Sequence, residues 1–127
     1  MKQMHYELMA RMASQALQET FIDNATKDCY ILPEEVYDDF MGSLRSLILR
    51  SDDPLKDRLL DLYVYCKQEA DKASKDSIYG SPQWVNIRTA VKNFLLYLTE
   101  FDLEAWEKRV LTGAQPGCAT DAAPPRH

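Results

Sequence analysis

Apolar residues return along this chain at three- and four-residue steps, in blocks separated by short polar or proline-containing breaks. Met4, Leu8, Met9, Met12, Ala16, Leu17 and Phe21 make the first stripe, and their spacing predicts one amphipathic helix over residues 2–21. The segment IDNATKDCYILP carries turn formers and no helical period, so it reads as a connection wrapping back toward a second helix. Pro33 suits a first helical position, and Glu34 and Glu35 suit a first turn, where the helix dipole favours anions. Val36, Phe40, Leu44, Leu47 and Ile48 then define one apolar face of a helix over residues 33–50.

The stretch DDPLKDRLLDLYVYC offers Asp53 as an N-cap and Pro54 as the first residue of a third helix. Leu55, Leu59, Leu62, Tyr63, Cys66, Ala70 and Ala73 keep helical spacing to about residue 75, where Lys72 and Lys75 complement the negative end of the dipole. Leu60 and Val64 fall on a second face, which predicts packing on two sides. In YGSP, Gly80 supplies a turn, Ser81 a cap and Pro82 the opening of a fourth helix. Trp84, Ile87, Val91, Phe94, Leu95 and Leu98 form its stripe, and FLLYL at residues 94–98, apolar nearly all round, is expected in the middle of the core. A short last helix over residues 102–111 buries Leu103, Trp106 and Val110, with Gly113 as its stop. The tail AQPGCATDAAPPRH is small, proline-rich and aperiodic, and is expected to be disordered.

The fold expected is therefore all-α: an antiparallel bundle of four main helices plus a short C-terminal fifth, in one domain over residues 1–113 with a tail at 114–127. The extra apolar faces of the third and fourth helices are covered either within the monomer or in a homodimer.

Composition narrows the function classes. A chain of 127 residues with 46% hydrophobic and 28% charged residues belongs among ordinary globular domains. Its net charge of −5 repels a phosphate backbone or an anionic lipid surface, which argues against nucleic-acid and membrane partners. Glu7 and Arg11 interrupt any signal-peptide core, and no apolar run approaches the roughly 20 residues of a membrane span. Cys29, Cys66 and Cys118 are isolated and odd in number, so neither a disulfide framework nor a metal-binding pair is written, and a reducing cytoplasm is expected.

Acidic residues are the first candidates for chemistry. EEVYDD at residues 34–39 and the DxxxD of Asp57 and Asp61 could set Glu35, Asp38, Asp57 and Asp61 on facing helices, and paired carboxylates of this kind can hold magnesium. The arrangement resembles the paired acidic helix motifs of all-α nucleotide pyrophosphohydrolases, which implies magnesium-dependent hydrolysis of a nucleoside triphosphate; a clean ExxE followed by ExxD is lacking. Helix physics accounts for the same residues one by one. Asp53 caps, Asp52 and Asp57 complement a helix N-terminus, and Asp57 and Asp61 make the polar face opposite the leucines. The latter reading leads, so no metal and no cofactor are expected. His5 and His127 are the only histidines, leaving no material in the core for a triad or a zinc site. No glycine-rich phosphate loop is present, and Cys66 lies on a buried stripe as an apolar filler.

Surface recognition remains. Met1, Met4, Met9 and Met12 crowd the first helix, and flexible, polarisable side chains suit a groove that adapts to a partner helix, although they equally fill a core. Tyr37, Tyr65 and Tyr79 lie off or beyond the apolar stripes and are candidate contact anchors. Between residues 34 and 62 eight acids face four bases, so a basic partner surface is steered toward this hairpin. LDLYVY at residues 60–65 followed by LTEFDLEAW at residues 98–106 resembles the later helices of flagellar export chaperones, small bundles that hold the terminal helices of a secreted subunit. The sequence is thus read as a non-catalytic, acidic, cytoplasmic bundle that binds another protein through a basic or helical surface, as an adaptor, an export-type chaperone or an inhibitor. The alternatives are the pyrophosphohydrolase and an acidic mimic of DNA that blocks a nucleic-acid enzyme.

Overall fold

A computed structural model describes residues 2–24, 30–52, 54–73 and 78–112, and every regular element among them is helical. The order is α1 (Gln3–Ala13), α2 (Gln15–Gln18), a π-helical turn (Glu19–Asp23), α3 (Pro33–Arg50), α4 (Leu55–Lys72), α5 (Pro82–Leu98) and α6 (Leu103–Thr112). α1 packs on α3 and α5, and α4 packs on the same two helices, so these four close a ring around the core. Neighbours in the ring run antiparallel. Tyr6 near the start of α1 reaches Glu100 just past the end of α5, Arg58 at the start of α4 lies over the Tyr97 ring, and Glu69 at the other end of α4 meets Asn86. Met9, Met12, Leu17, Phe40, Leu44, Leu59, Cys66, Ile87 and Val91 are sealed from solvent at the centre.

Local signals explain where the helices begin and end. Pro33 opens α3 with Glu34 and Glu35 in its first turn. Ser81 Oγ accepts the Trp84 amide at 3.2 Å, and Pro82 opens α5 behind it. Gly80, at φ 88°, makes the preceding turn in a conformation that side chains disfavour. Asp102 Oδ1 accepts the Ala105 amide at 3.0 Å and starts α6. Thr99 ends α5 in the left-handed region, at φ 60°, and turns the chain toward α6.

Five features depart from the sequence reading. The expected single helix over residues 2–21 is broken at Ser14, whose backbone is extended. Its hydroxyl accepts the Leu17 amide at 3.0 Å and so starts α2 afresh. The buried face of α1 also turns away from Met4, which is exposed, toward His5 and Tyr6. Leu60 and Val64 on α4 stay 44% exposed each, so the predicted second packed side is open in the monomer. Within FLLYL only Phe94 and Leu95 are buried, while Leu96 and Tyr97 face outward, because the ring covers one side of α5. Pro54 sits in the turn just ahead of α4 and not in its first helical position. Met1, Cys29, the Asp53 cap, Lys75, Gly113, Cys118, His127 and the tail at 114–127 lie outside the described residues.

Candidate functional site

The four carboxylates proposed for magnesium stand apart. Glu35 and Asp38 are exposed on the first turns of α3, Asp57 and Asp61 on those of α4, and antiparallel packing sends these ends in opposite directions. Among the described residues no group of three or more His, Cys, Asp or Glu side chains is placed to hold a metal ion.

The candidate contact residues scatter too. Met9 and Met12 are fully buried, which corrects their assignment to a partner surface: they fill the bundle core, and of these three Met4 alone is left outside. Tyr37 is half-buried against the core, and burial pushes its phenol up to about 12. Tyr79 ties the α4–α5 connection to the π-helical turn, donating to Asp23 at 2.5 Å and meeting Trp84 edge-on at 5.1 Å between ring centroids. Tyr65 is exposed on α4. The six residues therefore share no surface.

The histidine and the cysteine have defined environments. His5 is buried, contrary to the reading that left no histidine in the core, and its Nδ1 hydrogen-bonds Ser43 Oγ at 2.7 Å. Burial, helped by the nearby charges of Arg50 and Lys2, holds its imidazole below the ordinary value. A serine–histidine pair can activate a nucleophile; the charges acting on this ring, Arg50 and Lys2, are basic and disfavour the imidazolium that proton uptake would form. Cys66 is sealed in the core, where burial and then Glu69 push the thiol up to about 12, so at neutral pH it carries no thiolate.

What the fold does assemble is a groove beside α5. α6 packs on α2, and a space of about 1030 Å³ lined in part by Ala13 and Gln15 opens beside α5. Val85, Arg88, Thr89, Lys92, Asn93 and Leu96 form the α5 wall. Glu100, Phe101 and Asp102 of the α5–α6 connection and Leu103, Glu104 and Glu107 of α6 complete the lining. Several of these polar groups are held in place from behind. Arg88 donates to the buried Gln18 at 3.0 Å, Ser14 donates to Glu107 at 2.5 Å, and Tyr6 donates to Glu100 at 2.5 Å. The groove thus has charged walls held by hydrogen bonds to the bundle behind them, with Val85 and Leu96 as the exposed apolar positions on α5.

Its signal was present in the sequence but outweighed there. Val85, Thr89, Lys92 and Leu96 follow a four-three-four spacing offset from the core stripe of α5, which is a second seam on the same helix. Only Val85 and Leu96 on it are apolar, so the core stripe dominates any periodicity. The far wall depends on where α6 docks, and Ser14 meets α6 there through Glu107. No family model, no curated protein and no solved structure matches this chain.

Proposed function

We propose that this chain is a non-catalytic protein-binding bundle of the cytoplasm, acting as an adaptor, an export-type chaperone or an inhibitor. The observation that supports it is the groove beside α5, where Val85 and Leu96 stand 47% and 59% exposed on the same wall as Arg88 and Lys92. Apolar side chains left open in a concave, polar-rimmed surface mark a place where another molecule is buried. No helix among the described residues is long and apolar enough to cross a membrane. The chain's charge of −5 favours a basic partner and disfavours nucleic acid.

Two measurements test the reading. Affinity capture with the whole chain from native lysate should return one stoichiometric protein that re-forms a complex of defined mass with the purified chain by light scattering; absence of any such complex refutes it. Incubation with a panel of nucleoside triphosphates and Mg²⁺ should give no turnover. Hydrolysis abolished by Asp61→Asn would replace the reading with the pyrophosphohydrolase.

A further inference from the structure

We infer that the α5–α6 groove receives a single cationic amphipathic helix of another protein, apolar edge on Val85 and Leu96 and basic flank against the α6 side. This rests on the protein-binding reading and specifies the chemistry of the occupant.

Three observations converge on it. First, the seam Val85–Thr89–Lys92–Leu96 repeats at the interval by which one helix packs along another, and it is distinct from the face that α5 turns to the core. Its two apolar members are eleven residues apart in sequence, which places them about 16 Å apart along the axis, the length of a three-turn helix. Second, the walls differ in charge. α5 contributes Arg88 and Lys92, the α5–α6 connection Glu100 and Asp102, and α6 Glu104 and Glu107, so the groove is acidic on balance and its acids gather on the connection and α6. An entering helix with lysine or arginine on one flank and an apolar edge meets both features, and the uneven charge fixes which way it is rotated. Third, a second copy of this chain is a poor occupant, because each copy carries a net charge of −5 and would bring acidic surface to an acidic groove.

The test is selection of a displayed library of helical peptides against the whole chain. The library fixes apolar residues at i, i+4, i+7 and i+11 and randomises lysine and glutamate elsewhere; a scrambled-order library serves as control. Enriched peptides should be net basic, and their affinity by fluorescence anisotropy should fall about tenfold or more on Leu96→Glu and on Glu104→Lys, both exposed positions whose variants should keep the parent's far-ultraviolet circular dichroism. Enrichment no better than the control, enrichment of acidic peptides, or affinity indifferent to Leu96→Glu overturns the inference. So does light scattering that shows a dimer dispersed by Leu96→Glu, which would make a second copy the occupant. Should basic peptides bind but respond to Leu60→Glu on α4 instead, the groove fails as the site while protein binding stands. Failure of selection together with failure to capture any stoichiometric partner removes both.

Discussion

Gln18 occupies the most demanding position in the molecule. Its amide is fully buried and uses its whole bonding capacity: Nε2 donates to the carbonyls of Arg11 at 3.0 Å and Met12 at 2.8 Å, while Oε1 accepts from Trp84 Nε1 and Arg88 Nη1, each at 3.0 Å. Those two carbonyls belong to the last turn of α1, where the helix no longer supplies partners. One neutral side chain therefore caps a helix end, anchors the indole of a core tryptophan and holds an arginine of the groove wall. Gln18→Ala strands several of these groups at once. At 1–3 kcal/mol for each buried group left unsatisfied, and allowing for water entering the space, the variant should lose about 2–4 kcal/mol of unfolding free energy. A urea titration followed by Trp fluorescence checks it; a loss below about 0.5 kcal/mol, the range of an ordinary surface change, would mean that the cluster holds nothing together.

At the scale of elements, the break at Ser14 is where the first helical segment meets α6. An unbroken helix over residues 2–21 would satisfy the apolar spacing, and Met9, Met12, Leu17 and Phe21 are in fact all buried. What periodicity could not register is a buried hydroxyl with two partners, the Leu17 amide on its own chain segment and the Glu107 carboxylate 93 residues away on α6. Serine within an apolar stripe is equally common in an uninterrupted helix, so the signal exists only once α6 is in place. Ser14→Ala should remove an N-cap and the α6 contact together, costing about 1–2 kcal/mol in chemical denaturation. Combined with Glu107→Ala, it should cost less than the sum of the two single changes, since both remove the same bond. Strict additivity would show that Ser14 and Glu107 act independently and that α6 is positioned by Leu103 and Trp106 alone.

At the scale of the whole molecule, helix order, the proline and serine starts of α3 and α5, and most of the core were legible, because each depends on neighbours a few residues away. The site was not, because a groove is defined by the gap between elements distant in sequence, and His5 was missed for the same reason. It lies beside Met4 in the chain, and only the rotation of α1 against α3 decides which of the two is buried. That rotation makes the bundle sensitive to acid. With the folded imidazole held below 6.5, the unfolded chain takes up a proton more readily than the native one, so this contribution to stability is complete above pH 6.5 and declines as the pH falls below it. Glu69 adds a later step of the same sign. Hydrogen bonds from Asn86 and then Lys72 hold its carboxyl below 4.5, and the stability they confer is lost as the pH falls through that range. Urea midpoints measured from pH 8 to pH 3 should accordingly fall in two stages, the first beginning near pH 6.5. His5→Asn, which keeps a polar group opposite Ser43 but cannot titrate, should flatten the first stage and leave the second; Asn86→Ala should weaken the second alone. A first stage that persists in His5→Asn would place the titrating group elsewhere and free the α1–α3 contact from any role in acid sensitivity.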